Sequence, residues 1–174
     1  MKVKVFAVIM AVALLGACTP QEQEAPVAQD TAPAPELVDE GPEEHITFRP
    51  DDMDWGPSPS LEPNLEVAVL EGDPSEPGVF TMRIKIPDGG FISPHWHENV
   101  ERVTVLSGTF HLGHGEELDQ EAAEALEPGT YTSMPREMRH FAIAEGETII
   151  QLTSVGPWVI HYVNPEDDPR LREE

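Results

Sequence analysis

Between His45 and Val163 the apolar positions fall in short runs, several of them alternating with polar residues, and Gly, Pro, Asp and Glu interrupt them every few positions. Runs of this kind predict strands over Ile46–Phe48, Leu65–Leu70, Val79–Ile86, Val100–Leu106, Thr109–Gly113, Thr130–Met134, His140–Ala144, Thr148–Ser154 and Trp158–Val163. So many short strands at close spacing predict an all-β domain, either a sandwich or a small barrel. Only Glu116–Leu126 reads as a helix. It is short, with Leu118, Ala122, Ala125 and Leu126 on one side and carboxylates elsewhere.

The pattern before His45 is different. Residues 1–18 carry Lys2 and Lys4, an apolar run from Val5 to Leu15, and then Gly16-Ala17-Cys18, which together have the three parts of a secretory signal. The run is too short to span a bilayer comfortably. A cysteine directly after small residues resembles a bacterial lipoprotein signal, which implies Cys18 as the lipidated first residue of an exported protein. A plain cleaved signal with an incidental cysteine is the alternative. Thr19, where an Asp is absent, argues for inner-membrane retention, with the protein facing the periplasm or cell exterior. Residues 19–44 are rich in Pro, Ala, Gln and Glu with almost no large apolar side chain, the composition of a solvated, extended tether. The folded domain is expected over 45–168, followed by a charged tail at 169–174. From Pro165 onward the chain is expected on the surface or frayed.

Charge narrows the partners. The chain has 33 acidic and 10 basic residues, a formal net charge of -23, and no Lys/Arg cluster. Phosphate backbones and anionic lipid headgroups repel such a chain, so nucleic acid is excluded as a partner and membrane attachment falls to the lipid on Cys18. The single cysteine also excludes a disulfide within the chain and a multi-cysteine metal site. No Gly-x-Ser-x-Gly, phosphate-cradling loop or dinucleotide fingerprint occurs.

The chemistry is concentrated in Gly89-Gly90-Phe91-Ile92-Ser93-Pro94-His95-Trp96-His97-Glu98-Asn99-Val100-Glu101. His95 and His97, two apart on a strand, share one face, and Glu101 opens the next strand and returns to the same interior. Two imidazoles and a carboxylate are costly to bury unsatisfied, and a divalent metal satisfies them. The donor types suit iron, manganese, nickel, copper or zinc. A second segment, Gly129 to Phe141, supplies His140 as a fourth ligand, with Phe141 and Ile143 on the opposite face. Glu101 is also a candidate for orienting an imidazole or taking a proton. His111 is a further candidate for lining the pocket, favoured as a non-ligand, so Glu101 and His111 are the two residues to test as a general base. His114 is likewise favoured as a non-ligand, and His45 and His161 are expected to be structural or exposed. Trp96 should face away from the ligands, while Trp158 and Tyr131 are pocket wall or core, with core preferred.

The spacing Gly89-x5-His95-x-His97-x3-Glu101-x6-Gly108 resembles the first cupin motif in full, and Gly129, Pro135 and His140 resemble the second in part. The family's glycine two residues after the proline is Glu137 here, and its asparagine is Ala144. The chain is similar to small single-domain bacterial cupins without an assigned activity, and a related cupin-like domain occurs in zinc-binding anti-sigma factors. The resemblance implies a small two-sheet jelly-roll barrel with His95, His97, Glu101 and His140 inside around one metal ion, open positions for water, oxygen or a small-molecule ligand, and an association into homodimers that cupins often show. It leaves three functions open: a metal-dependent dioxygenase, isomerase or decarboxylase; a non-catalytic ligand-binding or sensor module; and, weakest, a metal-free sugar-modifying enzyme. The expected inner faces, Val103, Val105, Ala142 and Ala144, suit a small or apolar ligand.

Overall fold

The computed structural model describes residues 41–172 apart from residue 43. The expected signal, Cys18 and nearly all of the expected tether lie outside the described residues. The strands are β1 (Gly56–Pro57), β2 (Glu66–Glu71), β3 (Gly78–Ile86), β4 (Phe91–Trp96), β5 (Glu101–His114), β6 (Glu124–Leu126), β7 (Tyr131–Met134), β8 (His140–Gly156) and β9 (His161–Tyr162). They form one antiparallel sheet in the order β1-β2-β3-β8-β4-β9, with β5 paired to β8 and carrying β6 and β7 on its other edge. The all-β jelly-roll expectation holds, and its core is where alternation puts it.

Phe80, Met82, Ile84 and Ile86 of β3 face inward between the outward Thr81, Arg83 and Lys85, against Val103 and Val105 of β5 and Ile150 and Leu152 of β8. Ala142 and Ala144 are buried with them, as expected. On β8 the opposite face is covered too, because Phe141 lies across Gly113 of β5: a Cβ there would sit 1.9 Å from the Phe141 ring.

Two long strands, β5 and β8, stand where the sequence pattern predicts four short ones. Each bends instead of ending. In β5 the inward positions are Glu101, Val103 and Val105 before Gly108 but Phe110 and Leu112 after it, so the strand changes face parity there. The β5–β8 register shifts on both sides of Ser107, and Gly108 takes φ 71 opposite the Gly146–Thr148 stretch of β8, where Gly146 takes φ 70. One extra residue in a strand bends it and sharpens its twist. The bend lets the first half of β8 pair with β4 and its second half with β3, which curls the sheet over its own core. Thr148, fully buried at the bend, donates its hydroxyl to Thr109 O or Gly146 O, both at 3.2 Å.

Two expectations change, and a third resolves between its alternatives. Glu116–Leu126 is not a helix: it holds a three-residue 3-10 turn, Gln120–Ala122, capped by the Asp119 carboxylate, and then β6 along Phe110–Leu112 of β5. Of its apolar stripe only Leu126 is buried and Leu118 is 43% exposed, so a helix would have gained little burial, whereas the free edge of β5 offers backbone partners. Ile46–Phe48 forms no strand and stays exposed. The tail lies on the surface, the first of its two expected alternatives, and is held there up to the last described residue: two 3-10 turns lead Arg170 onto Ile160 O at 2.9 Å and Arg172 into a two-pronged ion pair with Glu62, both contacts 2.7 Å.

Gly108 is the position at which the bend is most exposed to mutation. A Cβ there would meet Thr148 Oγ1 at 2.3 Å and Glu147 O at 2.6 Å, in a backbone conformation that itself disfavours side chains. Gly108→Ala is expected to lower stability by about 2–4 kcal/mol, from left-handed strain and overpacking together. Urea unfolding monitored by circular dichroism measures it, and a loss below about 1 kcal/mol would show that the bend does not depend on this residue.

Candidate metal centre

His95 is placed by β4, where it stands directly across from His140 at the start of β8. His97 follows one residue past the end of β4, and Glu101 opens β5 opposite Met134. All four side chains are buried, and one nitrogen or oxygen from each lies within 4.8 Å of the others. Every residue expected as a ligand is therefore in one cluster.

The protein fixes which nitrogens converge. His95 Nδ1 is 2.7 Å from Ser93 O, His97 Nδ1 is 2.8 Å from Val159 O, and His140 Nδ1 is 2.9 Å from Met138 O. A carbonyl only accepts, so each Nδ1 carries the proton and each neutral ring turns an Nε2 lone pair toward the centre. There they meet Glu101 Oε2, 3.0 Å from His140 Nε2 and 3.5 Å from His97 Nε2. With neutral imidazoles that buried oxygen has acceptors around it and no donor. A proton shared between the carboxylate and a facing imidazole, or a cation, satisfies it, and the donor set of three imidazoles and one carboxylate is one that divalent transition metals take.

Electrostatics divide the cluster into two neutral rings and one coupled pair. Burial lowers His95 well below the ordinary imidazole value, with the neighbouring His140 and His97 adding to it, and burial brings His97 down to about 4 against the pull of Glu101. Both are neutral and ready to coordinate at neutral pH. Burial also disfavours charge on His140 and Glu101, but their mutual attraction outweighs it, raising His140 and lowering Glu101.

The turn ahead of His140 answers the missing glycine. Glu137 adopts φ 62, the left-handed conformation, between Pro135 and Met138, whose N–H donates to Pro135 O at 3.2 Å. The Glu137 N–H donates to His97 O at 2.8 Å, so the turn that presents His140 is tied to a second cluster residue, and that contact holds a non-glycine residue in a disfavoured conformation.

Above the cluster lies a cavity of about 190 Å³ that includes His95, His97 and Glu101 in its lining. Its wall includes Trp158, stacked on the His97 ring at 3.8 Å between centroids and edge-on to Phe80. Trp158 is thus pocket wall and also packs against the core, so both readings of it hold. Tyr131 is neither, being 61% exposed. Ser58, Ser60 and Leu61 also line it, and the Tyr162 hydroxyl donates to Ser60 O at 2.8 Å. A wider depression of about 500 Å³ lies between Gly41–Ile46 and the β2–β3 turn and contains none of the cluster residues, so the smaller cavity is the one joined to the chemistry.

The other candidates lie outside the cluster. His111 sits between the inward Phe110 and Leu112, on the other face of β5, with Nε2 2.9 Å from Glu145. His114 and His45 are exposed, and Trp96 faces away from the cluster and stacks on His161 at 4.1 Å. The roles of Trp158, Ser60 and Tyr162 carry no signal in the sequence, because each lies dozens of residues from the partner that gives it meaning.

Comparisons with known proteins bear on the fold. A family model described as the ChrR cupin-like domain matches residues 43–159. No curated protein sequence matches the chain. Among solved structures, the polyketide cyclase RemF from Streptomyces resistomycificus is similar at 18% identity, covering 73% of this chain and 91% of that one with a TM-score of 0.61. An acetylacetone dioxygenase from Acinetobacter johnsonii is similar at 16% identity, covering 73% and 82% with a TM-score of 0.56. KdgF from Halomonas sp. is 24% identical over 64% of this chain and 95% of that one, with a TM-score of 0.50.

The strain at Glu137 gives a test of the turn. Left-handed backbone costs an L-residue about 1–2 kcal/mol, part of which glycine returns through its freer unfolded chain. Glu137→Gly is expected to leave stability unchanged or raise it by up to about 1 kcal/mol, and Glu137→Val to lower it by more than about 1 kcal/mol. Equal effects of the two substitutions in urea titrations would contradict the turn geometry.

Proposed function

The chain belongs to the ChrR cupin-like domain family, and we propose that it is an exported, lipid-anchored cupin that holds one divalent metal ion through His95, His97, Glu101 and His140 and binds or acts on a small organic molecule. The observation that carries this reading is the set of three Nδ1–carbonyl hydrogen bonds that aim three imidazole lone pairs at a buried carboxylate oxygen with no donor. A metal ion held there supplies Lewis-acid polarisation, and iron or copper would add redox chemistry. The chain's own residues orient the ligand set and wall the space beside it: Trp158 covers one side of His97, and Ser58, Ser60 and Leu61 line the cavity.

Dioxygenase, isomerase or decarboxylase activity fits such a centre. The similarity to RemF and to the acetylacetone dioxygenase supports the fold on which those chemistries occur, and fold alone does not select among them. A second reading, a non-catalytic receptor or sensor in the periplasm, is favoured by one observation. Among the described residues, every titratable group lining the cavity is also a member of the donor cluster, so no separate acid or base faces a bound molecule, and His111 is engaged elsewhere by Glu145.

Elemental analysis of the chain, purified without a histidine tag, tests the centre. About one iron, manganese, nickel, copper or zinc per chain is expected, falling at least tenfold in His95→Ala/His97→Ala while the β-sheet circular dichroism persists. Metal retained by the folded double variant overturns the ligand assignment; zinc as the sole metal moves weight to the sensor reading. Attachment is tested separately. Cys18→Ser is expected to move the protein from the membrane fraction to the soluble periplasmic fraction and to abolish fatty-acid labelling, and unchanged fractionation would refute the anchor.

A further inference from the structure

The three histidines of the cluster are oriented at unequal range. Ser93 and Met138, whose carbonyls take the Nδ1 protons of His95 and His140, each stand two residues before the histidine they serve, so those contacts form wherever the local backbone is correct. The carbonyl that serves His97 belongs to Val159, 62 residues further along the chain.

The backbone at His97 is fixed independently of its ring. Glu137 N–H donates to His97 O at 2.8 Å, and the Asn99 side-chain amide donates to Val155 O at 2.8 Å. Neither contact reaches the imidazole, whose direction is left to Val159 O on Nδ1 and to the Trp158 indole stacked on its face. The ring also has an alternative. With its proton on Nε2 instead of Nδ1 it would donate toward Glu101 Oε2, 3.5 Å away, and no lone pair of His97 would remain at the centre for a metal.

Val159 and Trp158 both belong to residues 157–160, which lie in no strand between β8 and β9. This stretch is suspended at two points. At one, the Trp158 N–H donates to Pro74 O at 2.7 Å in the β2–β3 turn, and Gly156 approaches the same turn so closely that a Cβ would sit 2.1 Å from Glu76 O. The turn is held in its shape by Asp73, whose carboxylate accepts from Ser75 N at 2.8 Å and from Ser75 Oγ at 2.7 Å. At the other, Arg170 Nη2 donates to Ile160 O at 2.9 Å. Asp73 and Arg170 are exposed, and neither lines the cavity beside the donors or belongs to the cluster.

We propose that His97 is the adjustable ligand of this centre, and that Asp73 and Arg170 are positioning residues which, through residues 157–160, set its tautomer and with it the affinity for a metal ion. The affinity part rests on the metal-centre reading above, and the tautomer part does not.

Nitrogen–proton correlation spectra of the metal-free full-length chain at neutral pH read the tautomer of each ring, and titration against a chromophoric chelator reads zinc affinity. In the wild type His95 and His97 are both expected to carry the proton on Nδ1. In Asp73→Ala/Arg170→Met, His97 is expected to show a substantial Nε2–H fraction while His95 stays on Nδ1, and zinc affinity to fall about tenfold or more. Asp73→Asn, which keeps an acceptor for Ser75, is expected to match the wild type in both measurements. Each single variant is expected to lose about threefold in zinc affinity with the same shift at His97 alone, which carries the test if the double variant does not fold. An unchanged His97 tautomer, an equal change at His95, as general loosening of the fold would give, or an unchanged zinc affinity overturns the proposal. A wild-type chain that takes up no zinc or other divalent metal overturns the metal-centre reading and the affinity part, and the spectra of the metal-free chain then decide the tautomer part.

Discussion

Three backbone carbonyls, those of Ser93, Val159 and Met138, hold the centre of this molecule in order. Each takes the Nδ1 proton of one histidine, and by doing so each fixes the tautomer, the ring orientation and the direction of the remaining lone pair. Without those bonds a buried imidazole could turn a proton toward Glu101 and satisfy it locally. With them, the neutral cluster has an electron-rich interior that a cation completes. The consequence is an energetic cost that the rest of the fold must bear, since four polar side chains sit in the interior with an acceptor oxygen unpaired.

The fold bears it by bending rather than by adding elements. The carbonyls that orient the rings come from β4, from the segment just before β8 and from the segment just before β9, and they reach one point only because β8 pairs with β4 and β5 at its start and with β3 and β5 at its end. That division depends on the paired distortions at Gly108 and Gly146–Thr148. Residues distant from the cluster thus govern its geometry. The turn at Glu137 works at closer range, joining the approach to His140 to the carbonyl of His97.

The cavity wall follows a different logic. Ser58–Leu61 precedes the first long strand and contributes wall, and it is secured by contacts from the other end of the domain: the Tyr162 hydroxyl on Ser60 O and Arg172 on Glu62. The C-terminal residues that read as a loose charged tail are therefore tied, through Glu62, to the segment next to the cavity wall. Trp158 and the aliphatic side chains of the wall make the space beside the cluster largely apolar.

The spacing of His95, His97, Glu101 and His140 is legible in the sequence alone, because metal-ligand spacing on strands is a local property: two residues apart share a face, and a short turn returns the chain to it. The strands with strict alternation, β3 above all, are legible for the same reason. The places where local reading falls short are those settled by distant partners. Glu116–Leu126 has helical periodicity, yet the unpaired edge of β5 draws its end into a strand. Two pairs of predicted strands are two continuous bent ones, since Gly108 and Gly146 look like chain breaks until the opposing strand shows them to be a matched bend. His111 lies beside the ligand segment along the chain, but parity after the bend turns it outward to Glu145. Residue types and spacing along the chain settle which donors exist; which of their atoms face one another, and what walls enclose them, is settled by contacts between segments as far apart as His97 and Val159, because those directions are fixed by backbone groups that only folding brings within hydrogen-bond reach.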